Sequence, residues 1–375
     1  MKKIKLSNSH LSNLELKYIS KAIDSNEVST YGENLFLFEN ELENYLGNNH
    51  HVTATVSGTS AIHLALILAG VKRNDEVICQ SFTFAATVNP ILYLRAVPIF
   101  IDSCKDNLNM CPFQLEIAIK ESLIKGKKPK AVIVVHSYGM PAKMDEIISV
   151  CKKYEIKLIE DAAAALGAQY KGGKCGALGD FGVFSFNGNK IITTGAGGAL
   201  VCKSIEDKKR AIFLSTQAKE DKVFYEHKEV GYNYRMSNIN ASIGRGQIHY
   251  LEQRIKLRKR NYLFYQSFFE KIKGLDIFSN KDSSIGTNFW LNCITVTKKQ
   301  TGFSNENLRV KLKEDNIESR FLWKPMHLQP IFKNYPYYGG NVSEKLFKSG
   351  LCLPSGSDLS LNDLNKITES IDKIL

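Results

Sequence analysis

FGVFSFNGNKIITTGAGGALVC, residues 181 to 202, is the stretch on which the reading of both fold and function turns. It starts as a buried strand, changes to small polar residues at Asn187, presents a single lysine at Lys190, and runs into Gly195, Gly197 and Gly198 before a second apolar run. A chain written this way sets one amine at the edge of a core. An amine short of water loses part of its preference for the charged form, and a free amine attacks carbonyls. The alternative is a solvated lysine on a loop between two strands, so the neighbouring segments decide.

Immediately upstream, Ile156 to Ile159 reads as a strand ending in Glu160 and Asp161. Those acids either meet a cationic partner in a buried site or cap the next helix. Further upstream, strands at His51 to Val56, Glu76 to Ile78, Val97 to Ile101 and Ala131 to Val135 alternate with helices at Ala61 to Ala69, Phe84 to Leu94, Gln114 to Ile124 and up to Tyr154. Two helices, Leu14 to Ile23 and Asn34 to Tyr45, precede them, the second stopped by Gly47. The alternation predicts an α/β fold with an open, largely parallel sheet flanked by helices and ligands at the carboxyl ends of its strands. Ser57, Gly58, Thr59 and Ser60 open the helix after the first strand, where bare N–H groups and the helix dipole suit an anion. The same residues also suit a plain N-cap. They form neither a GxGxxG nor a Walker loop, so dinucleotide and nucleoside triphosphate chemistry is not indicated. Phe84, just past a strand end, either covers a flat ligand ring or packs in the core.

Downstream, Ser215 to Glu229 is polar and reads as a surface loop or a partner-contacting arm. Gly231 to Gly244 then leads into a long helix through Phe269, and the glycine at 246 marks the expected division into a large domain, 1–245, and a small C-terminal α/β domain, 246–375. The small domain is predicted to hold a strand at Asn292 to Thr297, a helix at Asn305 to Asp315, a strand at Ile317 to Arg320 and a closing helix at Leu361 to Leu375.

Composition narrows the class. With 43% hydrophobic and 23% charged residues and no apolar run near the roughly 20 residues that span a bilayer, a cytoplasmic protein with no membrane association is expected. The start, MKKIKLSNSH, lacks the apolar segment of a signal peptide. The eight cysteines are scattered singly, so they read as reduced thiols, and no metal site is expected. The formal charge is +12, but its basic residues are dispersed apart from Arg254 to Arg260 and Lys125 to Lys130. Both runs read as solvated faces without the interleaved aromatics of a nucleic-acid platform, so no nucleic-acid partner is expected.

An anion turn at Ser57 to Ser60, an aromatic at Phe84, an acid at Asp161 and an amine at Lys190 meet the needs of pyridoxal 5′-phosphate. Its phosphate seeks a helix start, its ring a flat apolar face, its ring nitrogen a carboxylate and its aldehyde an amine. In VSGTSAIHLAL, QSFTFAATVNPI, HSYGMPAKMDEI, LIEDAAAALGAQYKGGKCGALGDFGVFSFNGNK, GYNYRMSNINASIG, LWKPMHLQPIF and GLCLPSGSDLS the chain resembles the DegT/DnrJ/EryC1/StrS sugar aminotransferases, pyridoxal phosphate enzymes of fold type I. FSFNGNKIITT and LWKPMHLQP are most similar to the subgroup that aminates C4 of a UDP-linked 4-keto-6-deoxy-N-acetylhexosamine, on the route to bacillosamine-type sugars.

The resemblance implies that Lys190 is the Schiff-base lysine and proton shuttle, Asp161 the ring-nitrogen partner and Phe84 the stacking face. Gly58, Thr59 and Ser60 would bind phosphate with help from Ser185. Asn233, with Arg235 as a further candidate, would reach the cofactor site of a neighbouring subunit, which implies a homodimer. Trp323, Lys324 and His327 match a nucleotide-sugar loop, and Ser29 and Thr30 an N-terminal substrate segment; loop packing or surface charge is the alternative for each. The implied substrates are a nucleotide-linked keto sugar and an amino acid, glutamate in the first instance. One departure is Ala164, where family members often carry Gln, His or Glu. A second is the TTGAGGA segment. They support one rival reading, a catalytically idle cofactor- or sugar-binding regulatory subunit; a separate alternative is an aminotransferase acting at C3 of a dTDP-linked keto sugar. The lysine at 190 argues against the family's dehydratases, which have histidine there.

Overall fold

The AVIVV run at 131–135 has no polar face because both faces of its strand are covered; all five residues are buried, as strands in the middle of a parallel sheet are. The computed structural model, which describes residues 3–47, 49–280 and 282–375, places it inside an eight-stranded sheet. The strands are β1 (His51–Thr55), β2 (Glu76–Gln80), β3 (Val97–Ile101), β4 (Ala131–Val135), β5 (Lys157–Asp161), β6 (Phe181–Ser185), β7 (Gly198–Cys202) and β8 (Tyr337–Tyr338), in the order β1-β7-β6-β5-β4-β2-β3-β8. All neighbours from β6 to β8 are parallel. β7 runs against both β6 and β1. The stretch at 181–202 is therefore a hairpin, and Lys190 sits in its connection rather than in a crossover.

Helices cover both faces, giving the open, mostly parallel α/β arrangement that the alternation of strands and helices predicts. Helix Gly58–Leu68 is apolar on nearly every side and is buried almost throughout because it lies against the sheet. On the other face, Leu35, Phe38 and Leu42 of helix Glu33–Leu46 meet Phe184 and Phe186, and Phe38 packs edge-on to Phe186 at 5.3 Å. Each large apolar side chain so buried contributes about 1.5–3 kcal/mol. This packing fixes where the 186–197 connection leaves the sheet.

A second, antiparallel sheet joins Leu275–Ile277, Asn292–Val296, Gly350–Leu353 and Arg320–Phe321 in that order. Helices Asn305–Glu314 and Leu361–Asp372 cover it, each started by a reciprocal capping box, Ser304 with Asn307 and Ser360 with Asp363. The predicted strand at 317–320 is shorter, Arg320–Phe321, while Ile317 makes an isolated bridge to Ile4.

The long helix predicted through Phe269 is two helices, Asn238–Ile248 and Leu251–Phe269. Residue 246 lies inside the first, where a Cβ on Gly246 would stand 2.7 Å from the Glu15 amide. We propose that the smaller unit starts at the turn between the two helices. Helix 251–269 also corrects the reading of its basic cluster. Arg254 and Arg258 are buried, and Arg258 donates to Trp290 O (2.6 Å) and Ser355 O (3.0 Å). The Arg258 guanidinium thus serves internal carbonyls, and the buried Arg254 beside it does not face solvent either. Among the described residues no helix is long and apolar enough to cross a membrane, and all eight cysteines are free thiols.

Candidate active site

A cavity of about 500 Å³ opens at the carboxyl ends of β4, β5 and β6. Gly58, Thr59, Phe84, Asp161, Ser185, Lys190 and Trp323 line it, so seven of the residues singled out from sequence converge on one space.

Its floor is the start of helix 58–68. Ser57 is the N-cap: its Oγ accepts the Ser60 N–H (3.0 Å) and pairs with Ser60 Oγ (2.8 Å). The cap and anion readings thus divide by residue. Ser60 is spent on the cap, whereas Gly58 and Thr59 face the cavity with first-turn N–H groups that have no intrahelical partner. Close packing sets this floor. A Cβ on Gly198 would fall 2.4 Å from Gly58 N, and one on Gly58 would stand 3.1 Å from Ser185 Cβ. The TTGAGGA segment closes on itself through Phe186 N–H to Gly197 O (2.9 Å) and Thr194 N–H to Phe186 O (2.9 Å). Gly197 and Gly198 there serve close approach, and Gly195 a left-handed backbone at φ +82°.

Strand alternation separates the two acids at the end of β5. Asp161 faces the cavity and accepts from Thr87 Oγ1 (2.6 Å) and the Ala163 N–H (3.1 Å). Glu160 faces away and is structural. It accepts the N–H groups of Gly176 (2.9 Å), Leu178 (2.6 Å) and Gly179 (2.6 Å), together with His136 Nε2 (2.9 Å). Burial pushes the Glu160 carboxyl up, but those bonds outweigh it and hold it below its ordinary value.

Lys190 follows the turn in which its own N–H donates to Asn187 O (2.9 Å). Its Nζ lies 4.1 Å from the centroid of the Trp290 ring. Burial lowers its pKa to about 8 against the opposing pull of the Asp161 carboxylate. Phe84 stands at the mouth with 61% of its surface exposed, an aromatic face that a flat ligand ring would cover. The far wall is a stack: Tyr138 lies 4.0 Å from Trp323 at 19° and 6.2 Å from Trp290 at 17°. The Trp323 amide donates to the Tyr138 hydroxyl (2.9 Å). At Ala164 a methyl group faces this wall, and the backbone carbonyl is fixed by Asn288 Nδ2 (2.9 Å).

Other candidates lie elsewhere. Arg235 is corrected: it is buried, forms a two-pronged ion pair with Glu39, and donates to Ala54 O (3.2 Å). A buried guanidinium needs that carboxylate, so it ties helix 33–46 to β1 instead of meeting a cofactor. His327 is likewise held away, 2.7 Å from Ser81 Oγ and stacked on Tyr337 at 3.8 Å. Burial lowers its pKa despite Glu344. Lys324, Ser29, Thr30 and Asn233 are exposed and do not line the cavity of their own chain. Thr87, Tyr138, Trp290 and Arg320 line it without having been singled out. Thr87 lies within the QSFTFAATVNPI motif and Tyr138 within HSYGMP, but neither motif says which side chain turns inward.

An acid, an amine, a helix start and an uncovered aromatic, grouped around a space of this size, fit pyridoxal phosphate. Comparison with known proteins agrees. EpsN of Bacillus subtilis (strain 168), named as a pyridoxal phosphate-dependent aminotransferase, is 45% identical over 372 residues, covering 98% of this chain and 95% of its own. GDP-perosamine synthase of Escherichia coli O157:H7 is 33% identical, covering 100% and 99%. UDP-4-amino-4,6-dideoxy-N-acetyl-β-L-altrosamine transaminase of Campylobacter jejuni is 30% identical, covering 99% and 97%. The crystal structure of a DegT DnrJ EryC1 StrS aminotransferase from Brucella abortus superposes with a TM-score of 0.89 at 28% identity, covering 96% of this chain and 95% of that one. With residues 10–372 matching the family as a whole, the chain belongs to the DegT/DnrJ/EryC1/StrS aminotransferases and is a pyridoxal phosphate-dependent sugar aminotransferase.

Proposed function

We propose that this enzyme moves an amino group from an amino acid, glutamate in the first instance, to the C4 keto group of a UDP-linked 4-keto-6-deoxy-N-acetylhexosamine. The observation that carries the reading is that Lys190 Nζ and the Asp161 carboxylate face one cavity whose floor is the start of helix 58–68. Bound pyridoxal phosphate supplies an aldehyde that bonds to amines and a ring that takes up electrons as a substrate proton leaves. The N–H groups of Gly58 and Thr59 would hold the phosphate, Phe84 would cover the ring, and Asp161 would hold the proton on the ring nitrogen. Lys190 would supply the amine that the aldehyde takes. The same Nζ is placed to take the proton from the amino acid's α-carbon and to return one to the sugar's C4, as general base and then general acid. The UDP sugar and the C4 position are favoured by the motifs at 184–194 and 322–330, and by the relative from Campylobacter, whose name specifies a UDP sugar bearing a 4-amino group. We further propose a cytoplasmic homodimer in which Asn233 of each copy completes the other's site.

The test uses holoenzyme offered glutamate with UDP-, GDP- or dTDP-linked 4-keto-6-deoxy sugars, with the products identified by mass and NMR. A 4-amino UDP sugar formed at the highest kcat/KM is expected. Preference for a GDP or dTDP sugar, or amination at C3, overturns the substrate assignment. Borohydride reduction followed by peptide mapping that places the cofactor on any residue other than Lys190 overturns the mechanism.

A further inference from the structure

Trp290 stands beside the reacting amine, and no role above uses it. It is 4% exposed. Its indole N–H donates to the carbonyl of Asn189 (2.8 Å), the peptide oxygen immediately before Lys190, which also accepts from Ser7 Oγ (2.9 Å). Its ring presents a face to Lys190 Nζ at 4.1 Å. The indole is itself immobilised, because its amide donates to Asn288 Oδ1 (2.9 Å) and its carbonyl accepts from the buried Arg258 (2.6 Å). One tryptophan thus grips the lysine at two points, backbone and amine, from the opposite wall of the cavity.

We propose that Trp290 is a positioning residue for Lys190, its N–H fixing the lysine's peptide and its ring face holding the protonated amine while it is detached from the cofactor. The proposal rests on Lys190 being the cofactor-linked lysine. An aromatic face attracts an ammonium and not a neutral amine, so the ring opposes the desolvation that otherwise strips the charge. A base that must hold a proton between two transfers needs that balance. The other titratable groups facing the same cavity are Asp161, which favours the ammonium, Arg320, which opposes it, and the Tyr138 hydroxyl and Cys352 thiol.

The experiment follows the pKa of Lys190 in full-length protein freed of cofactor, by pH-dependent labelling with a small amine reagent and mass spectrometry of the Lys190 peptide. Wild type is expected near 8. Trp290→Leu should lower the value by about one unit, and Trp290→Phe, which keeps a ring but loses the N–H, should restore most of it. Because either variant can fail to fold, the ring is also weakened in place. Position 290 carries one of only two tryptophans, so in a Trp323→Phe background mono-, di- and trifluorotryptophan reach that site alone. The Lys190 pKa should fall stepwise with fluorine number, a response that simple packing does not produce. A flat fluorine series overturns the proposal. Borohydride mapping separates the two levels: cofactor on Lys190 with a flat series sinks only the role of Trp290, whereas cofactor on another residue sinks the reading beneath it.

Discussion

Lys190 is a base whose pKa the fold has lowered, and the sign of its pH dependence follows. Below about 8 the amine is mostly ammonium and cannot attack an aldehyde; above it the free amine prevails. Cofactor-free protein mixed with pyridoxal phosphate should therefore gain the absorbance of the bound cofactor at a rate that climbs about tenfold per pH unit up to about 8 and then levels. A lysine of ordinary pKa would still be climbing at pH 9.5. Arg235 provides the contrasting case. Arg235→Met strands the buried Glu39, and losing one partner of a buried pair costs about 3–5 kcal/mol, so the urea midpoint should drop sharply while cofactor affinity at low denaturant changes less than about threefold. The places of Asp161, at the end of β5, and Lys190, in the connection after β6, were legible in sequence because each stands where an apolar run gives way to polar residues. Arg235 and His327 were not, because their partners Glu39 and Ser81 lie 196 and 246 residues away. A motif names a residue type without naming the carboxylate or hydroxyl that will claim it.

At the scale of elements, the hairpin 181–202 and the helix start at 58 form one construction, locked by the approach of Gly198 to Gly58 N. Gly198→Ala puts a methyl group where only 2.4 Å is free. Backbone must move, at a cost of about 1–3 kcal/mol, and the first-turn N–H groups move with it. The expected result is a lower melting temperature together with a weaker cofactor Kd. A loss of stability with unchanged Kd would show that the helix start does not hold the phosphate. The alternation of strands and helices was readable because buried parallel strands are written as unbroken apolar runs. The two-residue strands were not: Gln169–Tyr170 and Gly173–Lys174 pair with each other but are too short to show a period, while Ile285–Gly286 and Tyr337–Tyr338 are strands only through distant partners. The same holds for the reversal of β7. Its direction depends on the 186–197 connection closing back on Phe186, a tertiary event.

Across the whole molecule, the surface bears on the proposed pairing of two chains. Val223, Phe224, Tyr225 and Val230 on the 216–230 arm are each more than 60% exposed, a concentration of apolar surface of the kind association sites carry. Asn233 follows that arm and is exposed, away from its own cavity. A symmetric pair of chains would bury the arm and let each Asn233 serve the other copy's site, since a two-fold interface exchanges the same residues in both directions. Complementation tests this directly. Lys190→Ala and Asn233→Ala proteins should each be nearly inactive alone. Mixed in equal amounts, dissociated and reassociated, half the pairs become hybrids, and every hybrid holds one site with both native residues and one with neither. Activity should recover to about a quarter of wild type. If Asn233 serves its own chain's site, every site in the mixture still lacks one residue and no activity returns.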